Sequence, residues 1–175
     1  MLTLGDLRAA PGRLSELAGA DALIAATSSA EVVVRAPKPA GPATTMVFQH
    51  ETISMMRAER AAELAKLGAQ VGPASLVVPV KKKPGSFWDQ ITVGRANTND
   101  IVLADPAVSN VHAHFEPGFE ERIALQDLGS SNGTFLNREP LQPHVPQPVR
   151  AGDCVRFGQS VFYFVTNAML AELSR

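Results

Sequence analysis

The chain has 175 residues, 45% hydrophobic and 19% charged, with 16 basic against 17 acidic side chains. That length suits one full core with an appendage, and a formal charge of −1 gives no field that would gather nucleic acid. The single Cys154 excludes an internal disulfide and a cysteine-based zinc cluster, and no apolar run reaches the length of a membrane-spanning helix. Asp6 and Arg8 interrupt the segment that a secretory leader would need to be apolar, so a cytoplasmic chain without membrane insertion is expected. The Ala, Arg, Val and Pro bias suggests a bacterial source.

Composition shifts near residue 73, from Ala-rich helical patterns to short β-rich runs. Thr3-Leu4-Gly5-Asp6 reads as a capped helix start, with a hydroxyl followed three residues later by an acid, and Pro11-Gly12 interrupts it. Leu14, Leu17 and Ala18 suit one helical face, and Glu31-Val32-Val33-Val34 reads as a short strand. Prolines near 37–43 indicate an extended linker. A second helix is expected from Ser54 to Leu67, ended by Gly68 and packing through Met56, Leu64 and Leu67. These elements make residues 1–73 a helical or mixed N-terminal region.

From residue 74 strands follow quickly. Ser75 to Val80, Ile91 to Val93, Ile101 to Leu103, Ala113 to Phe115 and Arg122 to Gln126 come first. Thr134 to Leu136 leads into a turn at Asn137-Arg138, and Val149 into a turn at Gly152-Asp153. Val155 to Phe157 and Val161 to Val165 close the set, with a short helix expected within Ala168 to Ser174. Many short strands separated by turn signals argue for an antiparallel sandwich over 74–168, followed by a tail at 169–175. The fold class is mainly β with a small helical N-terminal region.

Four separated elements sit at turns between these strands: Gly94-Arg95, Ser109-Asn110-Val111-His112, Ser131-Asn132-Gly133-Thr134 and Gly152-Asp153. Together, over about 74–166, they resemble the forkhead-associated (FHA) domain, a β-sandwich that reads phosphothreonine. The resemblance implies that Arg95, Ser109 and Ser131 meet the phosphate, that Asn132 anchors the peptide backbone, and that Asn110 adds a contact. It implies structural support from Gly94, His112 and Gly133. The chemistry fits, because a phosphothreonine carries close to two negative charges and three strong acceptors. An arginine fork and small neutral donors answer that demand. Two positions depart from the pattern. Asn110 stands where many relatives have arginine, and Asn137-Arg138 where many have Asn-Gly, so a turn of another type is expected there.

The implied function is a phosphothreonine-peptide adaptor without a cofactor and without catalysis. Its partners are a serine/threonine kinase and a threonine-phosphorylated protein. The alternative is a phosphate-independent assembly module of a secretion or regulatory complex. Thr44 and Thr45, followed by an apolar pair, resemble the self-ligand of small bacterial FHA regulators. Rival readings are weaker. Ser109, His112 and Asp127 lack a nucleophile elbow, and His112 with His114 lacks further metal ligands. Lys81-Lys82-Lys83 reads as a solvated loop, and Pro143 to Pro148 as a rigid surface loop. Cys154 is expected to face away from the core residue Val155.

Overall fold

Alternating apolar side chains decide which face of each strand is covered. A computed structural model describes residues 2–10, 12–13, 21–25, 61–62, 64–84, 89–117 and 123–174. The expected helix face at Leu14, Leu17 and Ala18, the strand at Glu31 to Val34, the linker near 37–43 and the pair Thr44 and Thr45 lie outside these residues.

The chain begins with β1 (Leu2–Thr3), α1 (Leu4–Ala9), β2 (Ala22–Ala25), α2 (residues 64–70) and β3 (Leu76–Pro79). Then come β4 (Ile91–Gly94), β5 (Ile101–Val102), β6 (Ala113–Pro117) and β7 (Ile123–Asp127). β8 (Thr134–Leu136), β9 (Glu139–Pro140), β10 (Gln147–Val149), β11 (Cys154–Phe157), β12 (Ser160–Val165) and α3 (Asn167–Leu173) complete it. One sheet has seven strands in the order β1-β3-β2-β12-β11-β8-β9, and the other five in the order β10-β7-β6-β4-β5.

The first core fills the space between the sheets. Leu23, Val93, Phe115, Leu125, Phe157 and Phe164 belong to it. The rings of Phe115 and Phe157 meet edge-on with centroids 6.5 Å apart, a favoured aromatic geometry. A second core covers the other face of the seven-stranded sheet. There Ile24, Val77, Cys154 and Tyr163 meet Leu4 and Leu7 of α1, Leu67 of α2, and Leu170 of α3. β12 serves both layers, with Phe162 and Phe164 in the first and Tyr163 and Val165 in the second.

Several expectations change here. Strands on both sides of the shift in composition near 73 share one sheet, because β2 pairs with both β3 and β12. The segment after 168 is α3, the short helix expected within Ala168 to Ser174, and it buries Met169, Leu170 and Leu173. Gly68 does not end α2, whose helical residues continue to 70. The strands are not all antiparallel, since β4 and β5 run parallel. Cys154 faces away from the first core as expected, yet it is buried in the second. Pro148 lies in β10, an edge strand, where its missing amide donor disturbs no ladder.

The turn at Asn137-Arg138 keeps positive φ at both residues, 50° and 74°, in a two-residue hairpin closed by the Leu136–Glu139 pair. The arginine accepts the left-handed backbone, so the expectation of another turn type does not hold. The Asn137 side chain compensates, accepting from the Cys154 amide at 2.9 Å and donating to Asp153 at 2.8 Å. At the N-terminus the capping box is present. Thr3 Oγ1 accepts from the Asp6 amide at 3.1 Å, and the Asp6 carboxylate accepts from the Thr3 amide at 2.9 Å. The Arg8 Nε donates to the Leu173 carbonyl at 3.0 Å, tying α1 to α3.

Candidate functional site

The end of β4, the segments leading into β6, and the loop between β7 and β8 meet at one end of the sandwich. Gly94 is where β4 turns toward them. A Cβ built there would lie 2.3 Å from the Asn110 carbonyl oxygen, so only glycine permits this approach. The next residue, Arg95, is exposed. Its amide donates to the Ser109 carbonyl at 2.9 Å, and its Nε donates to the Val108 carbonyl at 3.2 Å. Those bonds fix the stem of the guanidinium and leave its terminal nitrogens for a ligand.

Ser109 Oγ accepts from the Ser131 amide at 3.1 Å. Its hydroxyl proton therefore stays available for an anion. Asn132 Nδ2 donates to the Ala107 carbonyl at 2.8 Å, which leaves the amide oxygen and one N–H for a peptide backbone. Ser131 and Asn132 are exposed, and Asn110 is exposed beside Ser109. All five residues expected to meet the ligand thus fall at one end, linked by hydrogen bonds between loops.

His112 lies beneath them, with no exposure. Its Nδ1 accepts from the Ser109 amide at 3.0 Å, so Nε2 carries the proton and donates to the Gly133 carbonyl at 3.2 Å. Burial pushes its pKa below the ordinary 6.5, while the Gly133 carbonyl and the Asp127 charge push the other way. The ring is neutral and braces both loops. Gly133 has φ 75°, a left-handed conformation suited to glycine in the turn that enters β8.

Two supporting residues were not anticipated. Asn99 is 2% exposed, and its Nδ2 donates to Ala96 and Asn110 carbonyls at 2.8 and 2.6 Å. Asp127 is 1% exposed and accepts from the Gly129 amide at 2.8 Å, the Ser130 amide at 3.0 Å, the Ser130 hydroxyl at 2.6 Å and the Thr134 hydroxyl at 2.5 Å. Burial raises the Asp127 pKa, but the bonds from Ser130, Thr134 and Gly129 outweigh it and hold the carboxyl below its usual range. An aspartate two residues before a glycine was a readable turn signal. The role of Asn99 had no comparable local mark.

The Ser109, His112 and Asp127 set is not aligned for nucleophilic catalysis. His112 meets the Ser109 amide instead of its hydroxyl, and Asp127 spends its oxygens on the loop that follows it. His114 is instead 3.3 Å from Glu116. Lys83, the last of the basic run, donates to loop carbonyls of Asn97 and Asn99.

Comparison with known proteins follows the same lines. The FHA domain model matches residues 91–158. The oxoglutarate dehydrogenase inhibitor of Corynebacterium glutamicum is 35% identical over 129 residues, covering 70% of this chain and 87% of that protein. The glycogen accumulation regulator GarA of Mycobacterium tuberculosis is 34% identical over 138 residues, covering 74% of this chain and 83% of that protein. A solved structure from work on phosphothreonine-dependent FHA domain interactions is 24% identical, covers 52% of this chain and 84% of its own, and has a TM-score of 0.43. With a family model on the site-bearing strands and a relative matched over nearly its whole length, this chain belongs to the FHA domain family.

Proposed function

We propose that this chain is a phosphothreonine-peptide adaptor in serine/threonine kinase signalling, acting in the cytoplasm. The observation that carries the reading is the linkage of three loops around one exposed arginine. Arg95 is tied to Val108 and Ser109, Ser109 to Ser131, and Asn132 to Ala107. In this reading Arg95, Ser109 and Ser131 hold the phosphate, while Asn132 and Asn110 hold the peptide backbone. Because the donors are fixed before the ligand arrives, little ordering cost attends binding. The threonine methyl supplies selectivity over phosphoserine, on the order of 0.8–3 kcal/mol in a tight pocket. The step is binding, with no bond broken. Two of its relatives are an inhibitor and a regulator by name, which suits an adaptor of this kind.

Regulation through Thr44 or Thr45 belongs to the same proposal. A phosphate placed there by a kinase would give the site a tethered ligand. Tethering raises the effective concentration to about the millimolar range, enough to occupy a modest site. Titration calorimetry with a threonine peptide library, phosphorylated and unphosphorylated, tests the reading. Binding confined to phosphothreonine peptides is expected. Equal binding of unphosphorylated peptides would favour the phosphate-independent assembly module. After kinase treatment and site mapping, an external phosphopeptide should bind more weakly to protein modified at Thr44 or Thr45, and unchanged binding would remove the self-ligand.

A further inference from the structure

We infer that the turn between β11 and β12, and Gly158 above all, positions Asn132 for its ligand. This rests on the phosphopeptide reading above. No ligand-contacting role falls to the turn itself, since it lies behind the loops that carry Asn132. What it does is hold Asn132 by two routes at once.

The first route runs through the backbone. The Gly158 amide donates to the Gly133 carbonyl at 3.0 Å, the same oxygen that takes the His112 ring proton. The peptide unit between Gly133 and Thr134, one residue beyond Asn132, is therefore clamped between a histidine and a glycine from opposite sides of the sandwich. The second route runs through the Asn132 side chain, which donates to the Ala107 carbonyl at 2.8 Å. Gly158 sits against that carbonyl so closely that a Cβ on it would lie 2.3 Å from the Ala107 oxygen. Its φ of 59° also disfavours any side chain. A residue larger than glycine would displace the acceptor on which Asn132 depends.

The turn is itself locked from three directions. Ser160 donates to the Asp105 carboxylate, whose other oxygen accepts from the Ala107 amide at 2.8 Å. Arg156 donates through Nη1 to the Gly158 carbonyl. The same guanidinium stacks on the Phe135 ring with Cζ 3.5 Å from its centroid, a cation–π contact. Phe135 in turn lies under Gly133, where a built Cβ would come within 3.1 Å of Cε2. Phe135, Arg156, Gly158 and Ser160 thus brace the Gly133 and Ala107 segments between which Asn132 is held.

A double-mutant cycle separates positioning from general destabilisation. Phosphothreonine-peptide affinity is measured for the full chain, for Gly158→Ala, for Asn132→Ala and for the pair, with melting temperature recorded for each. Gly158→Ala is expected to weaken binding about tenfold alone, equivalent to roughly 1.4 kcal/mol, but by less than about twofold when Asn132 is already alanine. Ser160→Ala, which keeps the glycine and removes only the tie to Asp105, should show a smaller loss with the same dependence on Asn132. Should Gly158→Ala not fold, the Ser160→Ala cycle decides the matter by itself. Equal losses in both backgrounds, or an unchanged affinity in folded variants of a parent that binds, would overturn the positioning role alone. A parent that does not discriminate phosphorylated from unphosphorylated peptide would overturn the underlying reading and this role with it.

Discussion

The loop end of the sandwich and the outer layer of the seven-stranded sheet are ordered by different forces. At the loop end, order comes from side chain to backbone hydrogen bonds, such as those of Asn99, His112 and Asp127. In the outer layer it comes from apolar burial of Leu4, Leu7, Ile24 and Leu170, all fully inaccessible. Hydrogen bonds are directional and set geometry, while each adds only about 0.5–1.5 kcal/mol net. Apolar burial is non-directional and contributes roughly 1.5–3 kcal/mol for a large side chain. In the proposed reading one region governs affinity and the other governs stability.

The sharpest test of that division is in the outer layer. Leu170→Ala should destabilise the fold by about 2–5 kcal/mol in denaturant unfolding, with peptide affinity unchanged below the melting range. Coupled loss of affinity in the folded variant would break the division. Arg95→Ala is the reciprocal change. It should weaken phosphopeptide binding by about 3 kcal/mol, a factor of more than about 100, and leave the melting temperature alone. Titration calorimetry reads the affinity and a thermal melt reads the rest.

His112→Ala crosses the boundary, because the ring is both buried and part of the loop network. A loss of about 2–3 kcal/mol in stability is expected, with weaker peptide binding as its consequence. The variant also carries a pH signature. The native pKa of His112 lies below its unfolded value of 6.5, so the unfolded chain takes up a proton first on acidification. Its contribution is whole above pH 6.5 and is lost as the pH falls from there through the native pKa. Stability of the parent should thus decline more steeply than that of His112→Ala below that pH, and parallel curves would refute a neutral buried ring. The smallest effect belongs to Arg138→Gly. Relief of the left-handed arginine should raise stability by a few tenths to about 1 kcal/mol, with no change in affinity.

Much of this molecule was legible in the order of its residues. The run around Ile123 and Leu125 stood out because these two apolar residues, two positions apart, share the face that packs into the core between the sheets. β2 did not, since Ala22, Leu23 and Ile24 are buried on both faces of a covered sheet and show no alternation. Its alanines pointed toward helix instead. The residues proposed to meet the ligand could be named because the motif spaces them in sequence. Asn99 and Gly158 were not, because their roles come from approaches between distant segments, with no local pattern to mark them. The turn at Asn137-Arg138 was misread for another reason. Side-chain bonds from Asn137 offset a backbone cost that the residue types alone suggest would be avoided.

The place of β2 between β3 and β12 has a practical consequence for anyone excising the sandwich at the shift in composition near residue 73. A fragment starting at residue 74 would keep every side chain proposed to meet the ligand, yet it would lose the strand that joins β3 to the rest of the sheet. β12 would then present an unsatisfied row of amides and carbonyls, with Tyr163 and Val165 stripped of their partners Ile24 and Ala22. Such an edge is sticky, and it recruits a strand from another copy as readily as it recruits its own. Dimers or precipitate from a trimmed fragment would therefore reflect the missing strand and say nothing about how the whole chain assembles.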